Sequence, residues 1–212
     1  MKLYPFGKDK IQIKFPESFE VGLDEEEVRS IEALKLPVGP TIWHTRNVWL
    51  IEFYFAGMRI SDALAIKWSD MQDDRFYYKM NKNDKPVSIK IPEKTKAIFA
   101  YYGKDKRGED DFVFPDLKTA NLKYARGVHR KQLTAKRKFN KYLKKITILA
   151  GIKKNISSHI ARHTFGNIAG DKIHPIMLQK LYRHSDLRTT IGYQSNFINK
   201  PADEALGSVL DF

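Results

Sequence analysis

One strand-turn-strand segment stands inside a chain otherwise patterned for helices, and this limits the fold more than any other feature. Residues 75–80 and 87–91 favour strand residues. Between them Asn81-Lys82-Asn83-Asp84-Lys85-Pro86 is rich in turn formers. An antiparallel hairpin is therefore expected there. The flanking sequence has the three- and four-residue spacing of helices. Asp24 and Glu27 form a capping-box pattern, and that helix should run to about Pro37-Val38-Gly39-Pro40. A second helix is expected over 41–55, with Gly57 as its stop, then shorter ones over 61–67 and 93–103. Phe139, Tyr142, Leu143, Ile146 and Leu149 make 135–150 an amphipathic helix with a lysine-rich outer face. Further helices are expected over 159–169, 175–182 and 187–193. Ala202, Ala205, Leu206, Val209 and Leu210 fit one more short helical stripe. The expected class is mainly α with a small antiparallel β-sheet (α+β).

Charge indicates the kind of partner. The 212 residues include 38 Lys and Arg against 25 Asp and Glu, a formal charge of +13. Such an excess favours a polyanion, because each neutralised phosphate releases a condensed counterion. Cysteine is absent, which excludes disulfides, thiolate metal sites and cysteine nucleophiles. His44, His129 and His174 have no carboxylates at metal-ligand spacing, so no metal and no cofactor is expected. No apolar run approaches the about 20 residues of a membrane span. The N-terminus lacks the apolar core of a signal peptide, so a cytoplasmic location is expected.

The chemistry-bearing residues fall in two places. Gly57-Met58-Arg59-Ile60-Ser61-Asp62 is isolated. His159-Ile160-Ala161-Arg162-His163-Thr164-Phe165, His184 and Tyr193 follow each other downstream. Attack on a phosphodiester needs a nucleophile, cations for the non-bridging oxygens, a proton for the leaving oxygen and alignment. Tyr193 is a candidate nucleophile. Arg59 and Arg162 are candidate clamps, since a guanidinium fork matches two phosphate oxygens and stays charged. His159 and Arg162, three residues apart, share a helix face. His184 is a second hydrogen-bond donor, and a lysine in the hairpin turn has the reach to protonate a departing 5′-oxygen.

In this order and spacing the set resembles the catalytic core of the tyrosine recombinases, the phage integrase family, over about residues 23–195. Gly57 to Asp62 resembles the first-arginine motif, with Asp62 at its acidic position behind Arg59. Lys82 matches the hairpin lysine, with Lys79 and Lys85 close by. His159 to Phe165 is similar to the histidine–arginine box, His184-Ser185 to the second histidine motif, and Tyr193 stands at the nucleophile's position. The resemblance implies a metal-free reaction through a 3′-phosphotyrosyl intermediate on double-stranded DNA, serving integration or excision of a mobile element. It also implies a homo-tetramer of the full-length protein on DNA. Residues 1–22 read as a linker or the remnant of an N-terminal DNA-binding domain. Residues 23–195 read as the catalytic domain, and 196–212 as a tail exchanged between subunits. One departure stands out: Tyr182-Arg183 precedes His184 where the family usually has Leu-Gly.

Each residue taken singly has an ordinary reading. Arg59 has Asp62 and Glu52 as possible ion-pair partners, Tyr193 suits a core aromatic, and Lys136–Lys145 suits a solvated face. Two rival functions remain at this stage. One is a type IB topoisomerase sharing the chemistry. The other is a DNA-binding module that keeps the fold without catalysis.

Overall fold

The computed structural model describes residues 22–79, 86–170, 172–182 and 184–191, with only the backbone of 78, 79, 86 and 87. Eight helices appear among them: α1 (Glu25–Ala33), α2 (Thr41–Tyr54), α3 (Ile60–Leu64), α4 (Glu93–Gly103), α5 (Pro115–Lys118), α6 (Ala125–Leu149), α7 (Ile160–Ala169) and α8 (Pro175–Tyr182). Residues 187–191 are also helical. The strands β1 (Met71–Gln72), β2 (Arg75–Lys79) and β3 (Pro86–Lys90) form one antiparallel sheet in chain order. The expected class is therefore the observed one.

α1 starts where its cap dictates. The Asp24 carboxylate accepts from the Glu27 amide, and the Asp24 amide donates to Glu27, each at 2.9 Å. The helix ends at Ala33, four residues ahead of Pro37. The capping Glu27 carboxylate also receives Lys154 at 2.6 Å. The entry segment lies on α7: the Leu23 amide donates to Thr164 Oγ1 at 3.0 Å, and Asn167 donates to the Leu23 carbonyl at 3.1 Å.

Three elements depart from expectation. β1 joins β2 through Asp73-Asp74, both with positive φ, the geometry of a type I′ turn made without the usual Asn-Gly. α6 starts at Ala125, ten residues before the expected Ala135, and extends about 37 Å at 1.5 Å per residue. α3 ends at Leu64, because Ile66 and Lys67 turn away to pair with Val113 and Phe112.

α2 is the central element. Its contacts reach α3, α4, α6 and α7, and Val48, Trp49, Leu50 and Ile51 are buried on it. A helix apolar on nearly all sides belongs in the middle of a core. Phe55, just past its end, packs on Phe76 of β2 with ring centroids 4.9 Å apart. Leu143 and Ile146 of α6 close the core from the other side. At the first turn of α2, His44 bridges Tyr102 Oη at 2.7 Å and the Asp116 carboxylate at 2.9 Å, tying α2 to α4 and α5.

Candidate active site

The site begins at the turn after α2. Ala56 and Gly57 both have positive φ, at 56° and 66°. A Cβ on Gly57 would lie 2.5 Å from the Cα of Arg162. Glycine is thus required twice at this position, by dihedral and by space. The turn throws Arg59 out as the N-cap of α3. Asp62, one turn on, is buried, and its amide donates to the Arg59 carbonyl at 2.9 Å.

Arg162 enters from α7 and is only 4 % exposed. Its Nη1 donates to the Gly57 carbonyl at 3.0 Å, and its Nη2 donates to the Tyr182 carbonyl. The guanidinium carbon sits 4.1 Å from the centre of the Tyr182 ring. Tyr182, fully buried, closes the loop by donating its hydroxyl to the Arg162 carbonyl. A buried guanidinium is costly unless its donors and its charge are met; here two carbonyls and an aromatic face meet them in part.

His184 completes this group. Its Nε2 lies 3.3 Å from Arg162 Nη2, and its Nδ1 lies 3.0 Å from Thr190 Oγ1. Arginine only donates. Nε2 is therefore the acceptor, and Nδ1 carries the proton donated to Thr190. Gln179 brackets the histidine backbone, donating to its carbonyl at 3.1 Å and accepting from its amide at 3.2 Å.

The second group lines a cavity of about 650 Å³ beside the first. Arg59, Ser61, Asp62, Lys136, Ser158 and His159 are on its walls. His159 is exposed and caps α7 rather than lying inside it. Arg59 Nη1 is buried without a hydrogen-bonding partner among the described residues, and Arg59 forms no ion pair there with Asp62 or Glu52. α7 joins the two groups, since His159 faces the cavity and Arg162 the cradle.

The structure thus brings Arg162 to His184, and Arg59 to His159 and Asp62. Lys82 lies in the segment joining β2 to β3, outside the described residues, as do its neighbour Lys85 and Tyr193. The tail and residues 1–21 lie outside them too. Sequence reasoning missed Tyr182. Its signal was the departure from Leu-Gly, a bulky aromatic two residues before a motif histidine. Glu52, on α2 shortly before the glycine, is named from the sequence only as a possible partner of Arg59, and its burial was not foreseen. It is 0 % exposed, and burial pushes its carboxyl well above the ordinary range, against the opposing charge of Lys136.

A family profile described as the phage integrase family matches residues 23–199. The chain belongs to the phage integrase family. Relatives include the tyrosine recombinase XerA of Saccharolobus solfataricus, 29 % identical over 137 residues, covering 63 % of this chain and 40 % of that protein. The tyrosine recombinase XerC of Xanthomonas axonopodis pv. citri is 22 % identical over 180 residues, covering 84 % of this chain and 54 % of that protein. The chain therefore spans about half the length of the curated relatives it matches. Among solved structures, the XerH site-specific recombinase in a post-cleavage complex with its difH substrate superposes with a TM-score of 0.63 at 20 % identity, over 89 % of this chain and 53 % of that one. The catalytic domain of bacteriophage HP1 integrase superposes with a TM-score of 0.54 at 18 % identity, over 88 % and 94 %. At these identities the superpositions show a shared fold. Among the described residues of this integrase-family chain, no helix is long and apolar enough to cross a membrane.

Proposed function

We propose that this chain is the strand-cleaving domain of a site-specific DNA recombinase that integrates or excises a mobile element. The observation that carries the reading is the meeting of the two arginine motifs at Gly57, whose carbonyl receives Arg162 while its turn presents Arg59. Two guanidinium groups set from one turn suit the non-bridging oxygens of a single phosphate.

In the proposed reaction the Tyr193 oxygen attacks phosphorus, forming the new P–O bond, while its proton passes to water. Arg59 and Arg162 hold the two non-bridging oxygens, with His159 donating to one of them and His184 orienting Arg162 as the acceptor of its Nη2. The bond from phosphorus to the 5′-oxygen breaks, Lys82 supplies the proton to that oxygen, and a 3′-phosphotyrosyl ester remains. Attack by a second strand's 5′-hydroxyl reverses the step and releases the tyrosine. The ester conserves the bond energy, so rejoining needs no nucleotide. Asp62 steadies the turn that presents Arg59 through its amide bond to the Arg59 carbonyl, and Tyr182 fixes the plane of Arg162. Action as a tetramer on double-stranded DNA, with the tail passed between subunits, is proposed from the family resemblance.

Incubation of the full-length protein with nicked suicide duplexes, followed by a denaturing gel, tests the reading. A covalent protein–DNA band that survives denaturation and chelation is expected. Its absence across duplexes bearing the element's ends would contradict the reading.

A further inference from the structure

The lysine-rich stretch of α6 is not uniform. Arg137, Lys138, Lys141, Lys144 and Lys145 are exposed, as a solvated face requires, whereas Lys136 is half-buried. It stands on the wall of the cavity shared by Arg59 and His159. Contacts of α6 with α2 and α3 bring it there. Lys136 makes no hydrogen bond or ion pair among the described residues.

A half-buried ammonium without an ion-pair partner loses hydration for no return. The acid that feels its charge is Glu52, buried behind it on α2. Burial pushes that carboxyl well above the ordinary range, so it is a poor counter-charge for the lysine. Arg59 Nη1 is also unsatisfied in the same region. Two cationic groups with open bonding capacity face one cavity, which is far larger than one phosphate group.

We infer that Lys136 is a further DNA-binding residue of this site, contacting the backbone phosphate beside the one held by Arg59. The inference rests on the reading of this cavity as the DNA site. A lysine suits the task, because a neighbouring phosphate needs a point charge on a flexible stem rather than a fixed fork. Lys136 belongs to binding and register; the proton transfers of the proposed reaction do not use it.

The test is the salt dependence of binding. The chain is titrated against a fluorescein-labelled 30-base-pair duplex between about 50 and 200 mM salt, a range over which phosphate contacts are read as counterion release. Lys136→Gln should lower the slope of log affinity against log salt by about 0.9, which is about 3–4-fold less change in affinity over that range. Lys136→Arg should keep the wild-type slope. Lys141→Gln, about 140° around the helix, is the control for general charge loss and should change the slope less. Melting temperatures of all variants should match the wild type. A wild type that binds while Lys136→Gln keeps its slope overturns this inference alone. So does equal loss in Lys136→Gln and Lys136→Arg, which would indicate a disturbed helix. A wild type that does not bind the duplex overturns the DNA reading, and the inference with it.

Discussion

Gly57 and Arg162 meet backbone to side chain across 105 residues of sequence: Nη1 of the arginine donates to the glycine carbonyl, and no Cβ fits between them. Gly57→Ala should therefore fail by two routes. A positive φ costs a non-glycine residue about 1–2 kcal/mol, and overpacking adds about 1–3 kcal/mol. A loss on the order of 3 kcal/mol is expected by denaturant titration, with DNA cleavage lost even at temperatures where the variant is folded.

The Tyr182 cradle predicts a graded series. Tyr182→Phe keeps the ring under the guanidinium and loses one hydrogen bond, costing about 1 kcal/mol. Tyr182→Leu approaches the usual family residue but also removes the cation–π contact, adding about 0.5–2 kcal/mol. Melting temperature should fall in that order, and cleavage should follow it. Equal effects of the two changes would mean that the ring face contributes nothing.

The arginines should not accept lysine. One ammonium cannot span the Gly57 and Tyr182 carbonyls that Arg162 now spans, nor grip two phosphate oxygens. Arg162→Lys and Arg59→Lys should each lose on the order of 10²-fold or more in cleavage rate, as for removal of one oxyanion stabiliser. Single-turnover kinetics on a nicked duplex measure this.

Glu52 predicts a pH effect. Its folded-state pKa is raised by burial, with Lys136 opposing, from an ordinary value of 4.5. The folded state therefore holds a proton that the unfolded state has released. Below pH 4.5 the group costs nothing. Above it, stability falls by about 1.4 kcal/mol per pH unit until the folded pKa is reached. Glu52→Gln is a neutral isostere and should remove that slope. The variant should be more stable than the wild type at pH 8 and nearly equal to it near pH 4.5. Denaturant titrations across this range decide it, and parallel curves would refute a neutral buried Glu52.

Much of the scaffold was legible because local chemistry agreed with the global fold. The Asp24–Glu27 box, the 75–91 hairpin and the 93–103 helix stand as expected. The first ten residues of α6 were not legible as helix. They hold Gly127 and few apolar residues, so no stripe marked them, although Arg, Lys, Gln and Ala are good helix formers. β1 was hidden because Asp73-Asp74 makes its turn without glycine. In the site, motif spacing pointed to Arg59, His159, Arg162 and His184. It had no way to show that Tyr182 binds Arg162 from three sides, or that Lys136 comes from a distant helix to the same cavity. Those are tertiary contacts between residues with no shared motif.

The central claim is that Tyr193 is the nucleophile of a metal-free cleavage. The most direct measurement is peptide mapping of the covalent adduct formed on a nicked duplex in the presence of EDTA, comparing wild type with Tyr193→Phe. The account predicts an adduct on the peptide containing Tyr193 in the wild type. It predicts no adduct in Tyr193→Phe, with DNA affinity nearly unchanged. An adduct that persists in Tyr193→Phe and maps to another tyrosine would contradict it.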